Sequence, residues 1–395
     1  MNGQYVIYKR NRSTGIRETL VQRYTDFTIT LNWGEVSKFQ ITGACIDSVD
    51  LEPGDGLVWY RNGVKFFAGI VDSVEEHCTN VAEGLKTWTA NGFEDSIMFS
   101  RWLVFADPVT VTFADGVVDK MSGYADARQI YYIWRNMGAG ALAARQISGL
   151  TLPGSASKGK NTESAYRYEA LDLVLQEIGA EDDNNLFPRF VWNPETGAKS
   201  VVIDSQRDKR DVIIAPEFSN LAEWTRTRTL PTCNAVWVCS STYEDENEDE
   251  VRLWVNAEDA ASIAEYGRFE KVVTASDVKV GTYEGVTITL ADATTLLNNE
   301  AAKALQEGAA RTKFSGTMVE TPALQFMTDW QCGDLVTCVI DGESFATTIK
   351  TVDVKYANGY EQVTPTLGEV EHGALAEVFK MLHGLDDRMS EKELN

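Results

Sequence analysis

A mainly β, α+β chain is the fold class the sequence predicts: two similar β-barrel domains, a mixed α/β domain inserted between them, and a C-terminal helix. Three observations predict it. Strand alternation fills both ends of the chain, helical spacing appears in its middle, and one short pattern occurs twice across that middle. At 395 residues the chain is long for a single hydrophobic core, so several domains are expected.

Residues 1–105 read as the first barrel. FTITLNW, KFQITGACI, GLVWY, KFFAGIVDSV and KTWTANGF are strand-like, and the turn formers PGDG, RNG and ANG separate them. Residues 106–215 are mixed. ADARQIYYIWRNMGAGALAARQ and SAYRYEALDLVLQEIGA have helical spacing, the second with Gly179 as its stop, and FPRFVWN, KSVVIDS and DVIIA follow as short strands. Residues 216–370 return to β as the second barrel, with the helix ADATTLLNNEAAKALQEGAART between its strands. Residues 371–395 read as a charged amphipathic helix. Leu375, Val378, Leu382, Leu385 and Met389 follow the 3-4-3-4 seam of a coiled coil. Two heptads are too short to stand alone and Gly384 weakens them, so this stripe is an expected interaction surface.

The repeat sets GDGLVWYRNGVKFFAGI, residues 54–70, beside GDLVTCVIDGESFATTI, residues 333–349. Without a gap, Gly54, Asp55, Gly63, Phe66 and Ile70 fall on Gly333, Asp334, Gly342, Phe345 and Ile349. Asn62-Gly63 and Asp341-Gly342 each predict a two-residue hairpin turn, because both central residues tolerate positive φ.

Charge excludes some partners. The net charge of −23 disfavours tight, specific binding of nucleic acid or of an anionic membrane surface. No apolar run has the length of a membrane-spanning helix, and MNGQYVIYKRNR lacks a signal-peptide core. Assembly in a cytoplasm is expected. Six cysteines without a CxxC pair read as buried free thiols.

The chemistry-bearing patterns are fragments. GSASKGKNT, residues 154–162, has Gly154, Gly159 and Lys160 at phosphate-loop spacing, but Asn161 stands where a hydroxyl should ligate magnesium. His77, His372 and His383 form no metal-binding spacing, and no nucleophile elbow occurs. In STYEDENEDEVRLWVN, six of the seven residues from Glu244 to Glu250 are acidic. Glu250 occupies the position of a calcium loop's turn glycine and Asn256 that of its bidentate glutamate, so a solvated hairpin tip is expected instead. No catalytic residue, cofactor or metal is assigned.

Four segments carry a family resemblance: FFAGIVDSVEE (66–76), GFEDSIMFSRWLV (92–104), SIAEYGRFE (262–270) and WQCGDLVTCVIDGE (330–343). In order and spacing they resemble the tail-hub, or baseplate-hub, proteins of tailed bacteriophages. These include the hub of T-even phages and the N-terminal hub part of siphophage tail-associated proteins. The resemblance implies a homotrimer in which each chain supplies two tail-tube-like barrels, six around a DNA exit channel. It implies a virion protein at the distal end of the tail, adapting threefold to sixfold symmetry. The implied partners are a hexameric distal tail or tail-tube protein, the tape-measure protein, and tail-fibre or spike proteins. Neither specific DNA binding nor membrane insertion is implied. No peptidase or fibre extension is recognised before Asn395, so such roles are expected of other proteins. The alternatives are a glycan-binding β-sandwich of a tail tip, using Trp and Tyr platforms, or a hydrolase on the same scaffold.

Overall fold

The computed structural model describes residues 4–45, 50–80, 85–105, 119–166, 168–181, 186–245, 249–276, 278–283 and 286–368. The chain forms two compact units, Met1–Trp224 with Ser315–Asn395, and Thr225–Phe314.

The first unit opens with seven strands: β1 Tyr5–Arg10, β2 Arg17–Leu20, β3 Tyr24–Asn32, β4 Lys38–Cys45, β5 Gly56–Arg61, β6 Val64–Asn80 and β7 Leu85–Glu94. They pair antiparallel in the order β3-β4-β7-β6-β5-β1-β2. The period of two sends Phe27 and Ile29 of β3, and Phe39 and Ile41 of β4, into the core. There Trp59 meets Phe39 at 4.8 Å and Phe67 at 5.4 Å between ring centres.

The mixed segment contributes β8 Asp119–Tyr124, α1 Ala125–Met137, β9 Leu150–Thr151, β10 Asn161–Tyr166, α2 Leu171–Gly179, β11 Phe187–Trp192, β12 Lys199–Asp204 and β13 Asp208–Ile214. Tyr132, Ile133 and Met137 of α1 pack with Leu171, Val174, Leu175 and Ile178 of α2 over Phe190 and Val201. The helical stretch expected from 125 to 146 stops at Met137, where Gly138 ends it. Gly179 is the last residue of α2, as expected, but the reason is proximity. A Cβ there would lie 2.0 Å from the Leu186 carbonyl oxygen.

β14, Leu221–Thr229, leads into the second unit. There follow β15 Ala235–Ser240, β16 Tyr243–Glu244, β17 Glu250–Val251, β18 Trp254–Glu258, α3 Ala260–Tyr266, β19 Glu270–Ala275, β20 Gly281–Tyr283, β21 Val286–Ile288 and α4 Leu290–Gly308. Thr289 starts α4 with a capping box closed by Asp292. Ala293, Leu297, Ala301 and Ala304 then bury one face of α4 on Val236, Val238 and Val273 of the β18-β15-β19 sheet. The opposite sheet face leaves Trp237, Trp254 and Val272 41%, 50% and 62% exposed.

β22 Arg311–Met318, β23 Leu335–Ile340, β24 Glu343–Ala357 and β25 Tyr360–Gly368 complete the chain's described strands. The expectation of two separate barrels is corrected at this point. β24 pairs antiparallel with β3, from Thr351↔Asn32 to Ala357↔Asp26, so both ends of the chain share one sheet. No closed barrel is formed among the described residues. The physical reason is that β3 and β24 each offer a long free edge of matching apolar alternation. Glu361 of β25 strengthens the join, accepting hydrogen bonds from Tyr5 and from Arg61, both at 2.8 Å.

Candidate functional site

The two Gly-Asp hairpins expected from the repeat are present and share their backbone. Asn62 and Gly63 have φ of 52° and 79°, and Asp341 and Gly342 have 52° and 80°. Gly54 and Gly333 have φ of 92° and 93°. Each following Asp is buried and accepts a backbone N–H from three residues earlier. Asp55 takes that of Glu52 at 2.9 Å, and Asp334 that of Gln331 at 2.7 Å. Each also takes a cation from a neighbouring segment. Arg12 and Lys9 approach Asp55 at 3.2 and 3.1 Å, whereas Arg207 grips Asp334 through two bonds of 2.7 Å. No local sequence signal points to these cations, which come from segments distant in the sequence.

The gapless repeat needs one correction. Its register slips by one residue in the first hairpin, where Tyr60 pairs with Lys65 but Trp59 with Phe67. In the second, Cys338 pairs with Phe345 without a slip. The structural counterpart of Phe345 is therefore Phe67 rather than Phe66. Likewise Ile349, which donates to the Asp334 carbonyl, matches Val71, which donates to that of Asp55. Phe66 is the extra residue.

Phe66 lines a cavity of about 400 Å³ beside the second hairpin, together with Leu31, Trp33, Phe326, Cys332 and Gly333. Arg189 and Arg207 contribute to its wall but are held by Asp204 and Asp334 at 2.6 and 2.7 Å. Burial pushes the Cys332 thiol up to about 12, so at neutral pH it stays protonated and is a poor nucleophile.

The near phosphate loop has an internal anion. Asp126, buried at the start of α1, accepts hydrogen bonds from the Ser155 hydroxyl (3.0 Å) and from the backbone N–H groups of Ala156 (2.6 Å) and Lys158 (3.1 Å). The loop's donors are thus spent on a carboxylate of the chain itself. Asp126→Ala is expected to cost about 2 kcal/mol, because it strands these donors. Faster amide exchange at Ala156 and Lys158 would register it, and unchanged exchange would contradict the cradle.

The flanks of the acidic run pair as a hairpin, and its tip, 246–248, lies outside the described residues. Tyr243 and Glu244 pair with Val251 and Glu250, and Asp245 N–H reaches the Asp249 carbonyl at 3.0 Å. Among the described residues no cluster of His, Cys, Asp and Glu suits a metal ion, and no helix is long and apolar enough to cross a membrane. Cys233, Cys239, Cys332 and Cys338 are buried free thiols, but Cys78 is exposed, at the outer reach of β6. The stripe Leu375, Val378, Leu382, Leu385 and Met389 lies outside the described residues.

A family model described as Siphovirus ReqiPepy6 Gp37-like protein matches residues 7–369. No curated protein matches. Solved structures share the fold, among them three tail proteins. The 43 kDa tail protein of prophage MuSo2 from Shewanella oneidensis is 10% identical at a TM-score of 0.55, covering 92% of this chain and 98% of that one. Prophage tail protein gp18 from Listeria monocytogenes EGD-e is 10% identical at 0.53, with coverages of 96% and 99%. A tail protein from Neisseria meningitidis MC58 is 13% identical at 0.51, with coverages of 92% and 96%.

Proposed function

The chain belongs to the Siphovirus ReqiPepy6 Gp37-like protein family, and from that premise we propose that it is a structural protein of a bacteriophage tail, a homotrimeric hub at the tail's distal end. The observation that carries this reading is the duplicated hairpin, matched in turn dihedrals and in its buried aspartate. Two equivalent units per chain become six in a trimer, which suits a ring contact with a sixfold partner. In this reading residues 1–105 and 216–370 supply the repeated β units, 106–215 the insertion, and 371–395 an assembly segment. The partners are a hexameric distal tail or tail-tube protein, the tape-measure protein, and fibre or spike proteins. The role is structural, with assembly in the host cytoplasm and no catalytic step.

The net charge of −23 fits a lumen that repels DNA rather than holding it. Repulsion acts over roughly 8 Å at physiological ionic strength, a distance that matters in a close-fitting tube. The mass of the purified protein in solution should be three times that of the chain. In the assembled particle, lumen-facing Asp and Glu should outnumber Lys and Arg. A monomer at every concentration together with no threefold density in the particle would reject the hub, and a neutral or basic lumen would reject the channel reading.

The glycan-binding alternative has one observation in its favour. Trp237 and Trp254 share the open face of the small sheet. Loss of binding to purified host-envelope glycans in Trp237→Ala would support it.

A further inference from the structure

We propose that the cavity beside the second Gly-Asp hairpin is a binding site for a neutral sugar ring, a ligand with a hydroxyl-rich rim and apolar C–H faces. The cavity lies wholly within the first compact unit, and polar and apolar groups share its wall. Its volume of about 400 Å³ falls at the small end of ligand sites. The bulge supplies the apolar part. Trp59 pairs with Phe67 and Tyr60 with Lys65, so Phe66 has no partner in its ladder. A bulge re-aims a side chain, and Phe66 is turned to line the cavity. The second hairpin has no such slip, so this is where the two copies part. The Phe66 ring stands edge-on to Phe326, 6.0 Å between centres and at 89°. Phe326 is itself braced, its N–H bonded to Glu320 at 2.9 Å and its ring 5.0 Å from that of Trp330. Next to it Met327 holds φ of 64°, a conformation rare in non-glycine residues and concentrated at ligand clamps.

The polar part of the wall has capacity left over. Arg207 gives Nε and Nη2 to Asp334, which leaves Nη1 without a partner among the described residues. Gln331 spends its backbone N–H on Asp334, and its exposed side-chain amide has no partner there either. Asp204 meets Arg189 through Oδ2 and keeps Oδ1. Ser205 accepts from the Lys158 ammonium at 3.0 Å and keeps its proton to donate. Trp33 is 5% exposed, and its indole N–H is also unpartnered among the described residues. Donors and acceptors are both on offer, and a hydroxyl can answer either. Charge narrows the class further. Arg189 and Arg207 stand against Asp204 and Asp334 in the same wall, so its charges cancel. An anion would meet the carboxylates and a cation the guanidinium groups. A wholly apolar ligand would strip water from the polar groups without replacing its hydrogen bonds. A sugar ring avoids all three penalties, with a C–H face for Phe66 and hydroxyls for the rest.

The test titrates the full-length protein with the methyl glycosides of glucose, galactose and N-acetylglucosamine. Binding is read by saturation transfer and by the indole N–H resonance of Trp33, identified by its absence in Trp33→Phe. At least one glycoside should bind and shift that resonance. Gln331→Ala, at an exposed position, should weaken the binding at least about fivefold, the worth of one hydrogen bond. Phe66→Leu should weaken it as well, and if that variant fails to fold, Gln331→Ala carries the comparison. Methyl glucuronide and glucosamine, which are charged, should bind at least about tenfold more weakly than the neutral glycosides. Trp237→Ala should bind as wild type, which separates this cavity from the open face of the small sheet. An oligosaccharide ending in the bound sugar should bind as tightly as its glycoside if the ligand is a glycan terminus, and more weakly if it is the free sugar. Absence of binding by all three glycosides at high millimolar concentration would overturn the proposal. So would full-strength binding in Gln331→Ala, loss of binding in Trp237→Ala, or preference for a charged sugar.

Discussion

Asp95→Ala is expected to be the most damaging single charge removal in the first unit, costing about 3–5 kcal/mol. Arg10 and Asp95 are 1% and 3% exposed at their side chains and share two hydrogen bonds of 2.7 and 2.5 Å. Arg10 also lies 4.9 Å from the Trp192 ring centre, so the pair ties the first sheet to the mixed segment. Without Asp95 the guanidinium is a buried charge left with the Trp192 ring and a long hydrogen bond to the Gly69 carbonyl, 3.4 Å away. Removing both charges should hurt less, since no uncompensated ion remains. Arg10→Met/Asp95→Leu is therefore expected to unfold in urea at a higher concentration than Asp95→Ala. A loss below about 1 kcal/mol for Asp95→Ala would place the pair among the weak surface bridges and refute its burial.

Gly333→Ala and Gly54→Ala should part company although their backbones are nearly the same. Both glycines hold φ just above 90°, which strains any L residue by about 1–3 kcal/mol. Around Gly54 an added Cβ meets nothing within 4 Å, so Gly54→Ala should show the backbone strain alone. At Gly333 the same atom would lie 2.2 Å from the Trp33 ring. Trp33 is buried and cannot withdraw without opening the cavity wall, so Gly333→Ala should lose roughly 1–3 kcal/mol more, the cost of overpacking. Denaturant midpoints of the two variants measure the difference. Equal losses would mean that the Trp33 contact yields freely.

The features legible in the sequence were those with a local cause. Asn62-Gly63 and Asp341-Gly342 announce their turns because the residues themselves tolerate positive φ, and the structure places a third such turn at Asn358-Gly359. The helix expected over 291–312 is found at Leu290–Gly308, held by its alanine and leucine face. Partner choice was not legible. Alternation in TVDVKY says which face of a strand is buried, but not that Val352 will lie opposite Leu31. The cations on Asp55 and Asp334 were hidden for the same reason, since Arg12 and Arg207 meet them only after the sheet is assembled. The slip at Phe66 escaped because two adjacent phenylalanines fit either register.

The pairing of β24 with β3 also sets a timetable. Thr351 lies opposite Asn32, so it joins the chain 319 residues (351 − 32) after its partner. At roughly 5–20 residues per second, a ribosome needs tens of seconds to deliver the second of them. During that interval β3 has β4 on one side and an unsatisfied row of backbone donors and acceptors on the other. An open edge of this kind attracts other strands, and non-local pairing of this span closes slowly. A newborn chain therefore spends most of its synthesis with its first sheet unfinished, and the last hairpin to emerge is the one that seals it.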